Sequence, residues 1–270
     1  KKNMNEKKRI IAKHFNATAS AEENNVSAKF GSNHEDYLLS HPYKFIEEII
    51  SEHNNKKLKI LDYCCGTGIF SIFPALQGHE VYGTDISERS VEIAKKKSLQ
   101  FNLENRCFFY CADSEKLDFN NSYFDIVLCY NSLSYLDLSV VFEELKRVIK
   151  PDGQLIIMDS LGHNIFYNLN RKANIARWGK NAQKELQLLK MKDISLCEKY
   201  FLKSRIRYFG FIMSILYFIS KRFKLEINRP ISEICSKLDD LLFKLPFSYF
   251  LAFKFVAVFH SLKEKNEERN

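Results

Sequence analysis

Residues 59–70, KILDYCCGTGIF, decide how the rest of the chain is read. The apolar run LKILDY (58–63) has the length and composition of a buried strand, and GIFSIFPALQG (68–78) reads as a helix ended by Gly78. Between them lies a tight turn in which Gly66 and Gly68 let the chain fold sharply and let a ligand approach without a Cβ in the way. No Lys-Ser/Thr pair follows, which excludes the phosphate loop of the G-x-x-x-x-G-K type. Cys64 and Cys65 are adjacent, poorly placed to chelate one ion, and no Cys/His cluster assists them, so no metal is assigned. Gly66 to Ser71 is G-x-G-x-x-S, near the dinucleotide fingerprint, and on this pattern a dinucleotide stays in competition.

The same rhythm continues downstream. EVYGTD (80–85), RCFFYC (106–111), YFDIVLCY (123–130) and QLIIMD (154–159) read as strands. SERSVEIAKKKSLQFN (87–102) reads as a helix with Ser87 as its N-cap and a stripe of Val91, Ile93, Ala94 and Leu99. LSVVFEELKRVIK (138–150) is a second helix, stopped by PDG. Strands alternating with helices of this length make βαβ units and a parallel sheet covered on both faces. The fixed hand of such units puts every strand-to-helix turn on one sheet edge, where ligands bind near the reversal of strand order. Upstream, residues 34–53 carry apolar positions at helical spacing with Pro42 as a break, and residues 1–33 are polar with little expected order.

Asp62, Asp85 and Asp113 close successive strands and therefore line one cleft. A carboxylate at Asp62 would repel a pyrophosphate and attract an α-ammonium group. Asp85 can accept both hydroxyls of a ribose, the role an acid takes about 20 residues past a glycine turn. Asp113 can accept from an adenine amino group. Ammonium, ribose and adenine in that order describe S-adenosylmethionine (SAM) better than a nucleotide bearing phosphates.

The segments ILDYCCGTG (60–68), VYGTDIS (81–87), CADSEKLDF (111–119), YFDIVLCYNSLSYL (123–136) and ELKRVIKPDGQLIIMD (144–159) resemble, in order, those of the class I SAM-dependent methyltransferases of small-molecule type. The resemblance covers about residues 58–160 and implies an α/β fold: a Rossmann-like seven-stranded sheet with helices on both faces. KSRIRYFGF (203–211) and YFLAFKFVAVFHSL (249–262) then supply the last two strands, the final one antiparallel. Residues 160–202 and 212–246 become insertions that form a helical cap. The organisation that follows is a covering N-terminal segment (1–57), a SAM-binding core (58–160) and a cap region holding the last two strands (161–270). By the same resemblance Asp62, Gly66 and Gly68 surround the methionine end of SAM; Tyr37 is a separate candidate contact for its carboxylate. Asp85 binds the ribose with Ile86 beside the adenine, Asp113 and Ser114 meet the adenine from the other side, and Tyr130 and Asn131 lie under the sulfonium. Cys64 departs from the family, standing where most members have the first glycine; an ordinary φ is expected there, so the backbone still reaches the ligand. The CCGT wording is similar to that of some menaquinone-type members.

The candidate catalytic residues are His163, His41 and Tyr135, with His34 as a further base and Arg171 and Arg177 as partners for an anionic acceptor group. The charge is uneven: residues 160–270 hold 21 Lys and Arg against 10 Asp and Glu, leaving 20 against 23 in residues 1–159. A basic C-terminal part points to an anionic partner, either an amphipathic small-molecule acceptor bearing phosphate or an anionic membrane surface. Basic residues interleaved with apolar ones, in no stripe and no recognisable module, disfavour nucleic acid. The longest apolar run, residues 208–220 between Arg207 and Lys221, is shorter than the ~20 residues a membrane span needs. Seven cysteines without a framework, and an N-terminus without an apolar leader, point to a reducing, cytoplasmic setting, with peripheral residence on the inner membrane face. The expected function is methyl transfer to oxygen on a glycan, lipid-linked or quinone-like acceptor; a SAM-binding membrane-surface or complex-forming module with little turnover is the competing expectation.

Overall fold

A computed structural model of the chain describes residues 6–22, 37–53, 55–164, 168 and 188–262. Its centre is a seven-stranded sheet in the order β3-β2-β1-β4-β5-β7-β6. Strands β1 (Lys59–Tyr63), β2 (Glu80–Asp85), β3 (Cys107–Cys111), β4 (Phe124–Tyr130) and β5 (Ile149–Ser160) run parallel. β7 (Lys254–Leu262) is antiparallel to both β5 and β6 (Phe201–Phe209), so β6 runs with β5. Strand order reverses between β1 and β4, which opens a crevice at their carboxyl ends.

Side chains alternate between the two faces along these strands, as the pleat demands. Leu61, Tyr63, Val127, Cys129, Leu155 and Ile157 pack against α5 (Leu138–Val148). Ile60, Ile126, Leu128, Ile156 and Met158 pack against α2 (Tyr37–Ser51). On that second face, Val81, Cys107 and Phe109 meet α3 (Ile72–Leu76) and α4 (Glu88–Gln100). Ser87 caps α4 through the amide of Ser90, as the sequence predicts, and Asp137 caps α5 through that of Ser139.

Three expectations are corrected. The helix expected over 68–78 is only α3, because Gly66 and Gly68 sit at φ +52° and +71° and the turn continues through Ser71. Pro42 does not break α2, which runs through it. Within residues 1–33, expected to carry little order, Glu6–Glu22 form a helix, α1, that packs on α4. Its signal is Ile11, Phe15 and Ala19 at four-residue spacing, a stripe diluted by the polar residues around it.

Past β5 the chain forms α6 (Met191–Ser195), β6, α7 (Phe211–Phe223) and α8 (Arg229–Leu242) before returning as β7. Because β6 runs with β5, α7 starts at the same sheet edge as the crevice, and β7 departs from it. The helices expected in the 212–246 insertion are therefore present and hang from the crevice edge.

Candidate active site

A cleft of about 710 Å³ opens at the reversal point. Its floor is the β1–α3 turn with Cys64, Cys65, Gly66 and Thr67; Asp85 and Ile86 form one wall, Tyr130 and Asn131 another, and α1 lies across it. The turn is held from three sides. Asp85 accepts from the amides of Gly66 and Ser87, both at 2.8 Å, and Lys97 donates to the Thr67 carbonyl at 2.9 Å. A Cβ added at Gly66 would meet nothing within 4 Å, so this glycine keeps the cleft side of the turn open. Gly68 serves packing instead: a Cβ there would stand 2.7 Å from Cβ of Ala94.

Asp85, Ile86, Asp113, Ser114, Tyr130, Asn131 and Tyr135 all border the cleft. Asp62 does not. It is buried beneath the turn, its Oδ2 accepting from the Ser71 hydroxyl at 2.6 Å and its Oδ1 finding no donor among the described residues. Burial pushes its carboxyl up to about 7, with the nearby Asp85 adding to the rise and the Ser71 bond opposing it. Burial also raises Asp85, against the pull of the Ser87 and Gly66 amides. Asp113 faces the cleft, but its Oδ2 is engaged by Lys8 of α1 at 2.6 Å, and the same ammonium reaches Glu115 at 2.6 Å.

Cys64 departs from the ordinary φ expected: it sits at +58°, the left-handed conformation the family's glycine would take freely. Its Sγ shares a hydrogen bond of 3.0 Å with Ser114 Oγ, and burial raises the thiol well above its ordinary value. Cys64→Val is expected to cost about 2 kcal/mol or more in chemical denaturation, since a β-branched residue is strained at this φ. Cys64→Gly should stay within about 1 kcal/mol of the parent, relief of strain offsetting the greater freedom of the unfolded chain.

Neither candidate histidine reaches the cleft. His41 is on α2 and shares a hydrogen bond of 3.1 Å with Ser232 of α8; burial and the Lys44 charge lower it. His163 follows β5, accepts from the Met191 amide at 3.3 Å and lies edge-on to Phe250, so it orders a loop. Tyr135 is in the wall, edge-on to Phe15 of α1 at 5.3 Å. Tyr37 begins α2 with its side chain outside the described set; His34, Arg171 and Arg177 also lie outside the described residues.

Several cleft residues escaped the sequence reading. Tyr43 of α2 and Phe70 join Tyr130 in an aromatic cluster, with Phe70 4.7 Å from Tyr43 and 4.5 Å from Tyr130 between ring centroids. Such rings attract a cation. Lys97, buried on α4, looks like any helix-surface lysine in the sequence, and only the three-dimensional turn shows its bond to Thr67.

The donor set fits SAM. Asp85 retains lone pairs for ribose hydroxyls, Gly66 leaves backbone open to the ligand, and the aromatic cluster suits a sulfonium. Residues 61–157 match the family model described as a methyltransferase domain. Sterol 4-C-methyltransferase strm-1 of Caenorhabditis elegans is 30% identical over 119 residues, 44% of this chain and 36% of that protein. Demethylmenaquinone methyltransferase of Lactobacillus johnsonii is 33% identical over 115 residues, 39% of this chain and 47% of that protein. The chain thus spans less than half the length of these curated relatives. Geranyl diphosphate C-methyltransferase from Streptomyces coelicolor A3(2) superposes with a TM-score of 0.65 over 96% of this chain and 99% of that one, at 12% identity, a likeness of fold. Residues 61–157 are thus similar to a methyltransferase domain, and the sheet order and the glycine turn agree with a SAM-dependent one of class I.

Proposed function

We propose that the protein transfers the methyl group of SAM to an oxygen of a small amphipathic acceptor, a lipid-linked, glycan or quinone-like molecule. The observation that carries this reading is the 710 Å³ cleft, which sets the Asp85–Gly66 nucleoside cradle beside the apolar rings of Phe15, Phe70, Tyr130 and Tyr135. That volume lies well inside the range of sites that enclose drug-sized ligands. SAM supplies an electrophilic methyl on a sulfonium cation. The chain's own residues orient: Asp85 fixes the nucleoside end, the aromatic cluster faces the cationic end, and α1 excludes water from above. Tyr135 is the residue at hand to contact the acceptor. The named relatives that act on a sterol and on demethylmenaquinone support an apolar acceptor. Residence in the cytoplasm, at an anionic membrane face that holds such acceptors, belongs to the same proposal.

A specific observation favours a second reading, a SAM-binding surface or complex-forming module with little turnover: no histidine lines the cleft among the described residues. Incubation with SAM and lipid extracts separates the two. S-adenosylhomocysteine (SAH) accumulating above an extract-free control is the expected result, and its absence from every extract, with SAH binding intact, would leave the module.

A further inference from the structure

We propose that the outward face of α7 and α8 is a docking surface for an anionic lipid bilayer. This extends the amphipathic-acceptor reading by naming where the acceptor is met.

The α8 helix is amphipathic the wrong way round for water. Ser232 and Asp239 are buried, Ser232 against His41 and Asp239 accepting from the amides of Ile212 and Met213 at the start of α7. Ile231, Ile234, Leu238, Leu241 and, just beyond the helix, Leu245 are exposed at helical spacing. The α7 helix repeats the pattern with Ile215, Phe218, Ile219 and Phe223. Phe218 is 68% exposed and Phe247, in the turn after α8, is 73% exposed. Apolar exposure on this scale marks an interaction surface.

Charge selects the partner. Asp240 is paired with Arg207 through bonds of 2.7, 2.9 and 3.2 Å, and Asp239 is turned inward, so two of the three acids of α8 are already engaged. Exposed on the segment from Arg222 to Lys244 are five cations, Arg222, Lys224, Arg229, Lys237 and Lys244, against Glu226 and Glu233. Apolar side chains ringed by cations match an interfacial helix pair, with the former among acyl chains and the latter at anionic headgroups. A second copy of the same face would set those cations against one another. No helix among the described residues is long and apolar enough to cross a membrane, so the contact is peripheral. The pair hangs from the crevice edge of the sheet, so docking brings the bilayer to the side of the molecule where the acceptor must enter.

Co-sedimentation of the full chain tests this with vesicles of phosphatidylcholine, alone or mixed with phosphatidylglycerol. The expected result is binding at least about tenfold tighter to the mixed vesicles, weakening as salt is added. Phe218→Ser combined with Leu241→Ser should weaken it at least about tenfold, as should Lys224→Glu combined with Lys244→Glu, with SAH affinity unchanged as proof of an intact fold. Variants that sediment like the parent, or a parent indifferent to phosphatidylglycerol, would overturn the proposal. So would a dimer in vesicle-free buffer that Phe218→Ser with Leu241→Ser dissociates, since a second copy would then cover the face. Vesicle binding without SAH binding would sink methyl transfer and leave this surface standing; SAH binding without vesicle binding would do the reverse.

Discussion

Asp85→Ala is expected to weaken SAH binding by about a hundredfold or more in a calorimetric titration. Asp85 does two things with one carboxylate. It ties the Gly66 and Ser87 amides at 2.8 Å, fixing the turn relative to the start of α4, and it presents its remaining lone pairs to the cleft. A hydrogen bond to a charged group contributes about 1.5–3 kcal/mol, and each 1.4 kcal/mol is a factor of ten in affinity. Loss of the ribose contacts alone therefore accounts for one or two decades, and relaxation of the turn adds to them. Asp85→Asn keeps one acceptor oxygen and should fall between parent and alanine. A dissociation constant for Asp85→Ala within threefold of the parent would remove Asp85 from the nucleoside site. Thermal protection by NAD with none by SAH would replace the cofactor altogether.

The parts of this fold legible in the sequence are those fixed by short-range chemistry. Apolar runs between turn residues located the five parallel strands, and Ser87 marked the start of α4 because a cap needs only its own helix. The cleft-facing order of Asp85 and Asp113 followed from strand ends alone, since handedness puts all those ends on one edge. What failed depends on depth and on distant partners. Asp62 looked like a rim residue, yet the turn folds over it and it bonds to Ser71. His163 and His41 looked catalytic from their places in the chain, and each is spent on a neighbour that no local pattern announces, Met191 and Ser232. The α1 helix was missed because much of what holds it is tertiary: Lys8 to Asp113 and Glu115, Asn16 to Ser87 and Arg89, and Phe15 against Tyr135.

Lys254→Met is expected to lower stability by about 1–3 kcal/mol, the cost of leaving the Asn131 and Ser160 oxygens without their buried donor. Lys254 opens β7, is 5% exposed, and donates to Asn131 Oδ1 and to Ser160 Oγ, the latter at 3.1 Å. Beside it lies Asp159, 4% exposed, whose carboxyl is raised by burial and held down by the Lys254 charge and by backbone amides. Asn131 takes φ +51° at the cleft wall, so the lysine also anchors a left-handed residue where the sulfonium is expected. Replacing Asp159 by Asn in the same chain should recover the part of the loss that comes from the nearby buried carboxylate; equal instability of single and double variants would show that the lost hydrogen bonds and packing, not charge, explain the effect. The pH dependence adds an independent check. A carboxyl whose folded-state pKa lies above its unfolded value stabilises at low pH, and that contribution is lost as pH rises through the folded value. Without Lys254 the folded value of Asp159 climbs further. The melting temperature of Lys254→Met should therefore fall more steeply than that of the parent as pH rises above the ordinary carboxylate range, and the Asp159→Asn background should flatten the difference.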